Sequence, residues 1–447
     1  MEWQCEKGSR TAMAIARLAA CLLSGFGPAL TAFEPRCGHT QELGGCPGYA
    51  DCFARLANQT EASFLQQQRE VLTVPVNKLP AAPRCTRTSC LDVTRCTLPF
   101  RLFVYNASAL AAAGVDPATV QCVGRQDAWD PWTARHLTDD PRRACALWIT
   151  AQRACKAFKK ITALPHWGND GLNHVIFEST DRGIPPAMRA KYLGKAMVAQ
   201  GFSTQDNFVH GVDVAVPIKA PARVAHTFAR FQRSPPWERK WLLTFKGLAS
   251  AGVRARLALH HDEPRRVIIA VYPSHHRCSS TGEALPVRSE LHQLVPTSMP
   301  INHACCAQMR ALYDHYDYDD LMNSTFGLVM PGRSPASYRL SEVLAAGTIP
   351  VFVGMDFAVL PFAELIPWSE IALSAPAHVD VRNALLPELR ELAADREQLR
   401  RMQHGVRAAY VRYFQPVAGG NPYEHIKRTV VQILRRRFEF RPPFRTM

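Results

Sequence analysis

The sequence predicts an α/β protein with two sheet-containing lobes, and three observations carry this. Apolar runs of strand length recur along the chain and alternate with helical or loop stretches. The runs Thr325–Met330 and Ile349–Val353 are apolar throughout, as in parallel sheets covered on both faces. A Pro/Arg-rich connection, KAPARVAHTFARFQRSPPWERK, divides the strand-bearing region in two.

The elements follow in order. In residues 1–32, Lys7 and Arg10 precede the mostly apolar Ala12–Ala32, which Arg17, Gly25, Gly27 and Pro28 interrupt. The unbroken Leu18–Phe26 suits a signal-peptide core, or a marginal signal anchor, better than a span of roughly 20 apolar residues. Residues 33–97 read as a cysteine-rich stem, with Cys37, Cys46, Cys52, Cys85, Cys90 and Cys96. The first lobe, 98–220, offers FRLFVYN, CALWIT, HVIFES and DVAVPI as strands, and the second, 221–379, opens with WLLTFKG and RVIIAVY. Residues 380–447 are amphipathic helices, ending in YEHIKRTVVQILRRRF.

At 447 residues and a net charge of +15 the chain favours anionic partners. Arginine is scattered and forms no aromatic-basic stripe, which argues against a nucleic-acid binder. None of the 14 cysteines stands in a Cys-x-x-Cys pair, and no Cys/His set has zinc spacing. Their density, beside sequons at Asn58, Asn106 and Asn323, predicts disulfides and an oxidising lumen or the cell exterior. Cys85, Cys90 and Cys96 are expected to be engaged near the first strand.

The most informative stretch is STFGLVMPGRSPASYRLSEVLAAGTIPVFVG, a strand–loop–helix–strand unit. Leu340, Val343 and Leu344 form its apolar helical face, Arg339 and Glu342 are neighbours on another, and Gly347 is placed to end the helix. In such units ligands bind outside the carboxyl ends of the strands. There the loop with Arg333 meets a positive helix N-terminus, suited to an anion. A solvated helix face is the alternative.

Lys246 and Arg254 stand near the end of the lobe's first strand, spaced to bracket a diphosphate, or else to be surface cations. Glu342 could accept two ribose hydroxyls, though a mid-helix glutamate is more often exposed. In LPHWGNDGLNHVIFES, the cluster His166, Asn169, Asp170, Asn173 and His174 offers Asp170 and His174 as general-base candidates; a turn with Asx hydrogen bonds is the alternative. Asp317, Asp319 and Asp320 in DYDD read as a helix N-terminal turn.

Four blocks of sequence resemble the exostosin family of glycosyltransferases, its animal branch more than its plant branch. They are CTRTSCLDVTRC with FRLFVYN; DPRRACALWIT with LPHWGNDGLNHVIF; LGKAMVAQ…DVAVPI with RKWLLTFKG; and NSTFGLVMPGRSPASYRLSEVLAAGTIPVFV running into VLPFAELIPWSEIAL. The resemblance spans roughly Cys85 to Arg436. It implies a GT-B fold of two Rossmann-like lobes with a donor cleft between them, and an inverting transfer from a UDP-sugar to a glycan or glycoprotein acceptor. Carried over by position, Lys246, Arg254, Arg333, Arg339 and Glu342 fall in the donor site. No protein-bound metal or cofactor is expected, a divalent cation serving at most with the nucleotide. Animal heparan-sulfate polymerases have basic residues where this chain has Pro331 and Ser334, so their glucuronic-acid donor is not implied.

Three functions fit these observations: a transferase of the Golgi or secretory lumen, a silent partner subunit that pairs with another glycosyltransferase, or a secreted polyanion-binding protein. Membrane contact would come only through the N-terminal segment.

Overall fold

The structure, a computed structural model, describes Cys52 and most of residues 87–439. Residues 1–51, 53–86, 279–302 and 440–447 lie outside it, as do shorter stretches at 97–98, 124–128, 151–155, 169, 179, 181–182, 202, 205–206, 219–228, 250–251, 274–277, 333–336 and 417–422. The expected signal segment and most of the stem therefore fall outside the described residues. Among those described, no helix is long and apolar enough to cross a membrane.

The first sheet contains β1 (Leu102–Val104), β2 (Ala146–Thr150), β3 (His174–Glu178), β4 (Met197–Gln200) and β5 (Val214–Ala215). The second contains β6 (Trp241–Ala249), β7 (Val267–Pro273), β8 (Ser324–Val329), β9 (Ile349–Val353) and β10 (Leu373–Ala375). Every pairing within both sheets is parallel. The principal helices are α1 (Pro186–Tyr192), α2 (Gly252–Ala258), α3 (His303–His315), α4 (Tyr338–Ala345), α5 (Leu386–Ala394), α6 (Arg396–Ala409) and α7 (Glu424–Glu439). The apolar runs read from the sequence are thus the strands, with two differences. DVAVPI contributes only Val214–Ala215, and MVAQ, too short for a periodic signal, is a strand as well.

The two sheets are wound differently. The second has the order β7-β6-β8-β9-β10, so its connections cover both faces. The first runs β1-β2-β3-β4-β5 in chain order. Right-handed crossovers in one direction place their helices on one face and leave the other bare. The chain's last helix supplies the cover. Ile426, Val430, Val431, Leu434 and Phe438 of α7 share one core with Val175, Phe177, Met197 and Ala199 of β3 and β4. Phe438 packs against Phe100 with ring centroids 5.8 Å apart, and Lys427 lies 4.4 Å over the Trp129 ring.

Polar contacts fix the lobes to one another around this helix. Arg437 of α7, 3 % exposed, donates to the carbonyls of Val212 and Asp213 and pairs with Glu364 of the second lobe. The amide of Phe362 donates to the Ala215 carbonyl at 2.9 Å, a backbone bond between lobes. Asp213 in turn forms a buried bidentate pair with Arg189 of α1 and accepts the amides of Val198 at 2.8 Å and Val209 at 2.7 Å.

Seven cysteines among the described residues are disulfide-bonded, as their density predicts. Cys96 joins Cys145 beside β2, Cys278 joins Cys306, and Cys52 joins Cys305, which sits next to Cys306 in α3. Cys90 is also in a disulfide, and Cys85 lies outside the described residues. The 253-residue separation of Cys52 and Cys305 fastens the stem to the second lobe.

Replacing Arg189 by leucine should lower stability by roughly 3–5 kcal/mol, because the Asp213 carboxylate would stay buried without its cation. A urea titration showing less than about 1 kcal/mol of loss would contradict this account of the pair.

Candidate functional site

The strand order of the second lobe reverses between β6 and β8, and the carboxyl ends of these two strands open a crevice where α/β sheets take ligands. The sequence brings α2 to this point after β6 and α4 after β8. Gly347, at φ +62°, stops α4: its amide bonds the Leu344 carbonyl at 3.0 Å and the Thr348 amide bonds that of Val343 at 3.0 Å, a Schellman end. At the other end Ser337 makes no side-chain cap.

Arg339 and Glu342 do not lie on a solvated face. Each is 4 % exposed, turned toward β6 and the turn before β8. The Arg339 guanidinium donates to Thr244 Oγ1 at 3.1 Å and rests on Met322 Sδ at 3.3 Å. Its Nε has no partner, and it forms no ion pair among the described residues. The Glu342 carboxylate accepts the Tyr318 hydroxyl, whose pKa burial raises and the neighbouring Glu342 charge raises further. Tyr318 comes from the DYDD turn. That turn, read from the sequence only as a helix N-terminal turn, lies against β6 and brings the tyrosine beside Glu342.

Lys246 and Arg254 require a correction. Lys246 lies inside β6, which continues to Ala249. Its Nζ donates to the Tyr316 carbonyl at 2.6 Å and sits 4.3 Å over the Tyr313 ring; burial lowers its pKa. Arg254 donates to three carbonyls: Leu248 at 3.0 Å, Met330 at 3.0 Å and Pro331 at 2.9 Å. It therefore ties the ends of β6 and β8 together and shapes the crevice floor. Burial lowers its pKa to about 10, with Tyr318 and Glu342 opposing. Neither cation stands free in this structure. Arg333 lies outside the described residues.

The other flank of α4 faces the first lobe. Ser337, Leu340 and Ser341 line an interlobe cleft together with Gly201, Ser203 and Val216–Ile218. Where α7 begins, the cleft continues between Ser341, Pro217, Phe414 and His425. His425 is the titratable side chain among these described lining residues. Its Nδ1 has no hydrogen-bond partner, and burial depresses its pKa to about 4. The sequence reading missed it; a histidine in an amphipathic helix gives no signal of what it will face.

The base candidates Asp170 and His174 are not brought to this cleft. Both precede or begin β3, at the amino end of the sheet, whereas the cleft is at the carboxyl ends. His174 is fully buried, its Nε2 3.0 Å from the Tyr105 hydroxyl and its Nδ1 3.3 Å from the Leu172 carbonyl. Burial lowers its pKa to about 4. Asp170 is exposed in a left-handed turn (φ +59°) that His166, Asn173 and Gly171 share, which explains the Asn/Asp/Gly content of the cluster. Asn173 is a staple: its Nδ2 donates to Asp92 O at 2.8 Å and Cys145 O at 3.0 Å. In the DYDD turn, Asp317 accepts the amides of Asp319 at 2.7 Å and Asp320 at 3.0 Å, and Asp320 pairs with Lys240 at 2.7 Å.

Comparison with known proteins gives a family match. Residues 133–388, more than half of the chain, match the sequence model described as the Exostosin GT47 domain. The chain is 29 % identical to Exostosin-1 of Drosophila melanogaster over 377 residues, covering 79 % of this chain and 45 % of that protein. It is 28 % identical to Exostosin-1c of Danio rerio over 311 residues, 64 % of this chain and 38 % of that one. With the Exostosin-1 homolog of Caenorhabditis elegans it shares 25 % over 381 residues, 80 % of this chain and 91 % of the relative. The chain thus spans less than half the length of the first two.

The buried histidines make stability pH-dependent. With a folded pKa of about 4 against about 6.5 unfolded, His174 takes up a proton in the unfolded chain first, so its contribution is lost as pH falls from about 6.5 toward 4. By pH 5 this amounts to about 2 kcal/mol. His174→Gln should flatten the stability profile between pH 7 and 5 by about that much, and an unchanged slope in urea titrations would refute the assignment.

Proposed function

The chain belongs to the exostosin GT47 family, and from this premise we propose that it is an inverting, GT-B-type glycosyltransferase. It would move a sugar from a UDP-sugar to a glycan or glycoprotein acceptor in the secretory lumen. The observation that carries the reading is Arg339, a guanidinium held almost wholly out of water with no direct ion pair among the described residues, Glu342 reaching it only through Tyr318, beside the uncapped start of α4. A buried cation without a direct ion pair is costly, and an incoming anion offsets that cost.

In this reading the uridine diphosphate occupies the β6–β8 crevice. Glu342, oriented by Tyr318, takes the ribose hydroxyls. Arg339, Arg333 and the α4 amides take the diphosphate, where their positive charge stabilises the leaving group as negative charge develops. Arg254 acts mainly by holding the Met330 and Pro331 carbonyls in place, with its charge behind the site. The sugar then lies past the N-terminus of α4, in the interlobe cleft, where an acceptor hydroxyl approaches from the first lobe.

His425 is assigned the proton of that hydroxyl. Its ring is neutral at pH 7 and its Nδ1 unoccupied, and the charge of a bound diphosphate would raise its pKa toward the working range. The disulfides support a luminal setting, since they persist only where conditions are oxidising.

Arg339→Gln should weaken UDP binding by about 1.5–3 kcal/mol in calorimetry, tenfold or more in affinity. Equal affinity in the variant and the parent would remove Arg339 from the donor site. With a panel of UDP-sugars as donors, His425→Ala should cut turnover by about a hundredfold and leave UDP affinity unchanged. Full turnover in that variant would show that another group accepts the proton.

A further inference from the structure

The interlobe cleft is walled mainly by apolar side chains. Val216 and Ile218 come from the first lobe, Leu340 and Val359 from the second, and Phe414 stands where the cleft reaches the start of α7. The polar side chains on these walls are the hydroxyls of Ser203, Ser337 and Ser341 and the ring of His425, which is neutral at pH 7. Ser203 donates to the Gln200 carbonyl at 3.3 Å, and Ser337 is not used to cap α4.

The charges that border these walls do not suit an anion. Two are carboxylates: Asp356, which follows Met355 and accepts the Ala358 amide at 2.9 Å, and Glu424, which precedes His425. Arg339, beside Leu340, turns into the crevice instead, where its guanidinium donates to Thr244 Oγ1. Among the described residues no lysine or arginine lines the cleft. A sugar hydroxyl entering it can pair with a serine or with the imidazole. A sugar carboxylate would leave water for aliphatic walls with like charges behind them, and a buried charge without a partner is among the least favourable groups to bury.

We propose that the sugar transferred is uncharged: a hexose, pentose or N-acetylhexosamine held through its hydroxyls, and not a uronic acid. The proposal rests on the nucleotide lying in the β6–β8 crevice with its sugar in this cleft.

UDP-glucose and UDP-glucuronate are matched probes, alike except for a hydroxymethyl or a carboxylate at C6. UDP-galactose and UDP-galacturonate repeat the comparison in the other C4 configuration. In calorimetry on the full chain, with UDP as reference, each uronate should bind about tenfold or more weaker than its neutral partner. A uronate that binds as tightly as its partner, while UDP still binds, would overturn the proposal and leave the nucleotide site standing. Failure of UDP itself to bind would remove that site, and the proposal with it. Ser337 is half-buried on the cleft wall, so Ser337→Arg would supply the missing cation. It should narrow the gap within each pair to about threefold or less by raising uronate affinity. An unchanged gap, in a variant whose thermal midpoint matches the parent's, would place the sugar elsewhere and overturn the proposal.

Discussion

A parallel sheet wound in chain order has one face that its own connections cannot cover. In this protein that face belongs to the first lobe, and the helix that covers it, α7, is the last element of the fold. Much else follows from this. α7 must pass from the end of the second lobe back to the first, so the lobes share one core where Ile426, Val430 and Phe438 meet Val175 and Phe177. Arg437 then becomes a junction, bonding the chain on either side of β5 and pairing with Glu364 across the boundary. The start of the same helix places His425 at the wall of the cleft. Covering the sheet and building the site are one arrangement.

The second lobe rests on a different constraint, the reversal of strand order between β6 and β8. That reversal makes a crevice, and α4 divides it from the interlobe cleft. One helix therefore presents two chemistries: Arg339 and Glu342 toward the crevice, Ser337 and Ser341 toward the cleft. Both charged side chains are buried against hydrogen-bonding neighbours, Thr244 for the arginine and Tyr318 for the glutamate. Their positions are thus fixed before any ligand arrives, which limits the reorganisation that binding would require.

Much of this was legible in the sequence. The strands announce themselves because a sheet covered on both faces needs unbroken apolar runs, and α4 could be bounded because Gly347 has the conformation that ends a helix. The spacing of Arg339 and Glu342 put them side by side, but spacing says nothing of which neighbour covers them. Their burial depends on the turn carrying Tyr318, which is distant in sequence from α4 and whose acidic residues suggested only local capping. Lys246 and Arg254 were read as cations near a strand end, yet such a cation can bind a ligand or a carbonyl, and the carbonyls at Leu248, Met330 and Pro331 are defined only by the fold. Asp170 and His174 failed for a topological reason. Residues at the head of β3 lie at the opposite edge from the cleft, and their glycine-rich cluster is needed for left-handed turns. The amphipathic character of α7 was evident; that it would return to the first lobe was not, because the winding order of a sheet is a long-range property.

The return of α7 also sets the order in which the protein can be made. As the polypeptide emerges from the ribosome, the first lobe is complete in strands long before its covering helix has been synthesised. Until residues near 439 emerge, the apolar side of that sheet has no partner and must be held by chaperones or stay unstructured. A stop codon just ahead of α7 would therefore act on the lobe made first. It would leave the second sheet with its strands and crossovers intact and strip the cover from the sheet made first, so the nascent chain would be disposed of for a defect far from where it was cut.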